Sequence, residues 1–108
     1  MEIFKIKRND TLPAISAVLQ NSDNEAIDLS DGSVWFNMGN LTTYSSYISG
    51  ICVITGSTTG NVEYQWVGSV DTGSVGVYWA EFEFQRTGSR MSFPSDHSLQ
   101  IQIFEDYN

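Results

Sequence analysis

The residues able to do chemistry are few. His97 is the only histidine in 108 residues and Cys52 the only cysteine, beside thirteen acidic and five basic side chains. One imidazole leaves no paired-histidine metal site, and a general base built on it needs a carboxylate in reach. Asp96 is its sequence neighbour, but successive residues of an extended chain point to opposite faces. His97 therefore reads as a solvated loop side chain. Serines are plentiful, yet with no Gly-x-Ser-x-Gly elbow or oxyanion-hole signal, a Ser-His-Asp triad is a coincidence of composition.

Asp23, Asn24, Glu25, Asp28 and Asp31, the last before Gly32, offer oxygen ligands that a calcium ion could use. They lack the alternating spacing of a calcium loop, and turns gather Asp and Asn for backbone reasons alone. Cys52 lies in the β-branched run Ile51-Cys52-Val53-Ile54, with no adjacent Lys, Arg or His to lower its pKa, and reads as a core side chain. The basic cluster Lys5, Lys7 and Arg8 falls on the first strand, where Lys guards an edge against unwanted pairing. No catalytic, cofactor or metal residues are expected.

The aromatic residues carry more. Trp35, Tyr44, Tyr47, Trp66, Tyr78 and Trp79 could stack on sugars, fill a core, or form a protein interface. Trp35 alternates against Val34 and Phe36, and Trp79 against Tyr78 and Ala80, so both are expected to point outward. With Tyr44 and Tyr47 they are the candidate interface, with subunit contacts favoured over carbohydrate because Trp and Tyr are enriched where proteins meet.

The elements that must position these residues are strands. The length suits one domain with a modest core, residues 1–108. A net charge of −8 argues against a nucleic-acid binder, since phosphate binding needs clustered Lys and Arg, and disfavours an anionic membrane surface. No apolar run approaches the roughly 20 residues of a membrane helix, and the alternating N-terminus is no signal peptide. A single cysteine excludes an intrachain disulfide. The expectation is a soluble, non-exported chain.

Short period-two segments, separated by Gly, Asn, Asp and Ser clusters, predict strands over residues 2–8, 12–19, 34–38, 51–55, 62–66, 78–85, 91–93 and 99–104. Residues 27–29 form a short apolar pair. Residues 40–47 read as a loop or weak edge strand, and residues 68–74 as a polar connection. No window has the spacing and caps of a helix of length. Seven to nine strands, each with one apolar face, predict an all-β, immunoglobulin-like antiparallel two-sheet sandwich. Trp66 or Trp35 would fill the space between the sheets. Gly76-Val77-Tyr78-Trp79-Ala80 has the pattern of a tyrosine corner, in which the phenol bonds to backbone upstream; Ala80 stands where an antibody domain places its second cysteine.

The order of several motifs adds a resemblance. Asp10-Thr-Leu-Pro13, Ile27-Asp-Leu29, Val34-Trp-Phe-Asn-Met38 and Gly60-Asn-Val-Glu-Tyr64-Gln-Trp66 are followed by Asp71-Thr72, Gly76-Val-Tyr78-Trp-Ala80-Glu-Phe82-Glu-Phe84 and Phe93-Pro94-Ser-Asp96. Together, from about residue 3 to residue 103, they resemble the immunoglobulin-like N-terminal domain of phage upper baseplate proteins and its stand-alone relatives in tailed-phage structural gene clusters. The insert-like residues 40–47 and the lack of a second domain depart from that pattern. The resemblance implies a non-enzymatic module of tail, baseplate, neck or capsid surface, made in the host bacterial cytoplasm. It would dock to other virion proteins, as a homo-oligomer or in a symmetric assembly. The alternative is a carbohydrate-binding sandwich using Trp35, Trp79, Tyr44 and Tyr47.

Overall fold

Alternation of apolar and polar side chains builds nine strands and one short helix among the described residues. A computed structural model describes residues 2–41, 46–93 and 99–105. The elements are β1 (Glu2–Lys7), β2 (Ile15–Val18), β3 (Ser33–Asn40), β4 (Ser46–Ile51), β5 (Val53–Gly56), β6 (Asn61–Tyr64), α1 (Gly68–Thr72), β7 (Gly76–Arg86), β8 (Ser89–Phe93) and β9 (Leu99–Phe104). They form a six-stranded sheet, ordered β1-β9-β7-β3-β4 with β8 also on β7, and a three-stranded sheet, β2-β6-β5.

β3 lies along one edge of β7, and the other edge is shared: β9 pairs with Gly76 to Ala80 and β8 with Phe82 to Arg86. β8 and β9 thus act as one interrupted strand. In immunoglobulin lettering β2, β6 and β5 take the places of B, E and D, while β3, β7 and β9 take those of C, F and G. The fold is an all-β, immunoglobulin-like two-sheet sandwich without a disulfide.

Three local expectations change. The sandwich is not wholly antiparallel, because β1 pairs in parallel with β9, from Glu2 opposite Leu99 to Lys7 opposite Phe104. After β1 the chain crosses to the other sheet to form β2, so β1 need not turn back along its neighbour. The β-branched run 51–55 is not one strand: β4 belongs to the larger sheet and β5 to the smaller, and the chain changes sheets at Cys52, whose N–H bonds to the Val34 carbonyl at 2.8 Å. The polar connection 68–74 contains α1. Strand β2 is also shorter than the apolar run around it.

Inward faces follow the period-two pattern. Val34, Phe36 and Met38 of β3, Ala80, Phe82 and Phe84 of β7, and Ile101 and Ile103 of β9 are buried against Ile15, Val62 and Tyr64 of the smaller sheet. Trp66, not Trp35, fills the space between the sheets. It meets Phe36 edge-on at 5.5 Å and Tyr64 at 5.4 Å, and its Nε1–H donates to the Pro13 carbonyl at 3.1 Å. Each such ring contributes about 1.5–3 kcal/mol through burial, so Phe36→Ala at the centre would remove about 3–5 kcal/mol.

Register also sorts the loops between the two ends. Ser33 pairs with Gln85, and Arg86 lies 3.9 Å from Asp31, which puts the β2–β3 connection beside the β7–β8 turn. At the opposite end Ile6 aligns with Ile103 and Ile103 with Gly76, bringing the β1–β2 connection to α1 and the start of β7.

Candidate functional site

The outer face of the larger sheet holds most of the candidate residues. Its register places Ser49, Asn37 and Glu81 in one row, and Ile51, Trp35, Glu83 and Ser92 in the next. The first row is hydrogen-bonded across three strands: Ser49 Oγ–H donates to Asn37 Oδ1 at 2.7 Å, and Asn37 Nδ2–H donates to Glu81 Oε2 at 3.1 Å. In the second, Glu83 accepts from Gln85 Nε2–H at 2.7 Å and pairs with Arg90 at 3.3 Å. Trp35, in that second row, is half-buried and Ile51 beside it is exposed. An indole beside fixed amides and carboxylates is a surface for contact, with its polar groups already oriented.

Trp79 does not join Trp35 as an exposed residue. Its side chain points away from the sandwich core but is only 8% accessible. Its cross-strand partners are Gly39, itself buried, and Gln100. Outward direction and exposure are separate properties, and here they part.

Tyr47 is 41% accessible, but its ring is engaged. It stacks on Tyr78 with centroids 5.2 Å apart and planes 11° apart, with its hydroxyl 3.4 Å from the Val70 carbonyl. Tyr78 Oη–H donates to the Ser74 carbonyl, four residues upstream, at 2.8 Å, the contact of a tyrosine corner. The ring lies over Gly76, whose φ of 155° suits glycine, and Ala80 is fully buried. Burial, then Tyr47, raises the Tyr78 pKa. Tyr44, Pro94, Asp96 and His97 lie outside the described residues.

The acidic turns hold themselves together. Asn21 Oδ1 accepts the N–H groups of Asp23 and Glu25 at 2.9 and 3.0 Å, and Asn24 takes a positive φ of 61°. Asp28 accepts from both the N–H and the hydroxyl of Ser30, which hold its carboxyl below the usual range. These are Asx-turn contacts. Among the described residues no three of His, Cys, Asp and Glu are grouped to hold a metal. Cys52 is buried, and desolvation pushes its thiol up to about 12, away from a reactive thiolate. Lys5 and Lys7 lie exposed on β1, an edge of the larger sheet, and Arg8 pairs with Glu105 at 3.1 Å.

The polar group that sequence reasoning missed is Asp71. It is buried on α1, accepts from the Tyr64 hydroxyl at 2.5 Å and takes the Val67 N–H at 2.7 Å. Burial, then this hydrogen bond, drives the Tyr64 pKa upward. Thr72 lies beside it, with its hydroxyl 2.9 Å from the Asp10 carbonyl. Asp71-Thr72 is one of the ordered motifs of the sequence, but periodicity carries no sign of a partner on β6. Apolar crevices open elsewhere: one of about 260 Å³ between the edges of β1 and β2 is lined by Phe4, Ile15, Phe82 and Leu99.

No protein-family model matches the chain, and a search of curated proteins finds none that matches it.

Proposed function

We propose that this chain is a non-enzymatic structural module of a tailed-phage or prophage particle, which docks to other virion proteins in a symmetric assembly. The observation that carries the reading is the kind of surface the sandwich presents. Side chains such as Leu12, Val67, Val70 and Ile51 are more than half exposed, while the carboxylates of Asp28, Asp71, Glu81 and Glu83 hold turns and strands. Apolar side chains on a rigid frame suit docking. The ordered motifs that resemble the baseplate domain give the docking its setting. Peptide mass spectrometry of purified particles tests it: the protein should co-purify at a fixed ratio to other particle proteins, and its absence from washed particles would end the reading.

A second reading, carbohydrate binding, is favoured by Trp35, half-buried beside the Ser49–Asn37–Glu81 row. The burial of Trp79 removes one ring from the platform that this reading uses. Titrating the protein with host polysaccharide should shift tryptophan emission in wild type and not in Trp35→Ala; no shift in wild type eliminates it.

A further inference from the structure

The free edges of the two sheets are not alike. Among the described residues, β1 and β4 end the larger sheet, β2 and β5 end the smaller, and β8 has a partner only in β7. β1 carries Lys5 and Lys7 and β8 carries Arg90, charges that oppose strand pairing along an edge. β2 and β5 are four residues each, and the register of β5 shifts between Ile54 and Gly56. β4 is six residues with no charge and no proline, and its register shift falls at its start, opposite Gly39. It lies inside the longest uncharged stretch of the chain, residues 32–62.

Backbone direction says what such an edge accepts. The Cys52 N–H bonds to the Val34 carbonyl, so the N–H and C=O groups of Gly50 and Ile48 also face β3, and those of Ile51 and Ser49 face away. An extended strand is the ligand that satisfies such a row in register. Ile51, 61% exposed, and Val53, 49% exposed just past the change of sheet, put apolar surface beside it.

Charge selects which strand. Neither β4 nor β5 carries a charged residue. On neighbouring elements, Glu63 of β6 lies opposite Val53, and Glu81 and Glu83 of β7 are two strands in from β4. Asp28 and Asp31 precede β3 at the Ile51 end, with Arg86 beside Asp31, and buried Asp71 follows Val70 at the Tyr47 end. A second copy offers the same uncharged edge. Two copies approaching in parallel would set Asp28 and Asp31 against their counterparts. Antiparallel, those two sets stand at opposite ends of a six-residue strand, about 20 Å apart and beyond the ~8 Å screening length of physiological salt.

We infer that β4 of one copy pairs antiparallel with β4 of a second copy about a two-fold axis, so that the two larger sheets continue into one. Ser49 and Ile51 of each copy supply the backbone donors and acceptors at the seam. The pairing fits the assembly reading but takes nothing from it.

Amide hydrogen exchange of the wild-type chain, read by NMR at about 20 μM and about 1 mM, tests it. The Ser49 and Ile51 amides should exchange about threefold or more slowly at the higher concentration. The Ser16 and Val18 amides, which face away from β6 on the free edge of β2, should not change. Over the same range, sedimentation velocity should show monomer passing to dimer. Dimer should form more readily at about 0.5 M salt than at about 0.05 M, because salt screens repulsion between two copies of net charge −8. Ile51→Lys, which puts a charge on the edge, should raise Kd about tenfold or more. Ser49→Pro, which removes an outward N–H and no backbone bond to β3, should do the same. Val18→Lys, half exposed on the outer face of the smaller sheet, should leave Kd unchanged. Exchange in the wild type keeps the test open should either β4 variant not fold. A monomer at every concentration overturns the inference. So does a dimer in which Ser49 and Ile51 exchange as in the monomer, or one that only Val18→Lys disrupts. A monomer present in purified particles would overturn this pairing and leave the assembly reading standing; a β4-paired dimer absent from particles would do the reverse.

Discussion

The Tyr64 hydroxyl donates to Asp71 Oδ2 at 2.5 Å, and the same oxygen takes the Val67 N–H at 2.7 Å, so one buried carboxylate fixes α1 to the strand before it. Removing one partner of such a contact leaves the other unsatisfied in a place water does not reach. Asp71→Ala should cost about 3 kcal/mol and Tyr64→Phe about 2 kcal/mol, as read from urea unfolding midpoints. The double variant should cost less than the sum, since both remove the same bond. An unmoved midpoint in Asp71→Ala would show that α1 is held by other contacts.

Gly50 of β4 backs that tyrosine. A Cβ at Gly50 would stand 2.8 Å from the Tyr64 ring and 3.0 Å from its oxygen. Gly50→Ala should therefore destabilise by about 1–3 kcal/mol. In a Tyr64→Ala background the same substitution should cost almost nothing, because the ring it strikes is gone. Equal costs in the two backgrounds would contradict the contact.

Alkali should weaken the fold through groups whose pKa is raised, Cys52 and Tyr64 above all, with Tyr78 adding to them. Cys52 is raised from an ordinary 9.0 to about 12 by burial, and Tyr64 is raised above its ordinary 10.0 by burial and Asp71. A raised folded-state pKa means that the folded chain holds its proton where the unfolded chain has lost it. Stability is then complete below the unfolded pKa and falls as pH climbs through the window toward the folded one. The decline should begin near pH 9 with Cys52 and steepen above pH 10 with Tyr64, each group adding at most about 1.4 kcal/mol per pH unit. Urea unfolding at successive pH values should show the first part of this slope lost in Cys52→Ala; an unchanged slope would assign it elsewhere.

The three tryptophans should separate by accessibility. Trp66 and Trp79 are 5% and 8% accessible, while Trp35 is half-buried. A variant keeping only Trp35 should be quenched by acrylamide more strongly than one keeping only Trp79. Trp79→Ala should cost about 3–5 kcal/mol, as for a core ring, and Trp35→Ala clearly less. Equal quenching would mean that the cover over Trp79 opens in solution.

The tyrosine corner offers a smaller lever. Tyr78→Phe removes the bond to the Ser74 carbonyl and should cost about 1–1.5 kcal/mol in the same unfolding measurement. A neutral result would place the stabilisation in the ring, stacked on Tyr47, rather than in the hydroxyl.

Period-two alternation is a local property of an extended chain, and it was readable without the fold. It told that Val34, Phe36 and Met38 face one way and that Ala80, Phe82 and Phe84 do the same; the single cysteine excluded the disulfide. What strands pair with is not local. The parallel run of β1 on β9, and the change of sheet at Cys52, depend on where distant segments lie. Alternation also says where a side chain points, never what stands beside it. Trp79, outward by alternation, is buried nonetheless, and Tyr64, a core position by its spacing, met Asp71 only because α1 lies against β6. Direction belongs to the backbone of one segment; burial and partnership belong to the packing of several, and those only the tertiary structure decided.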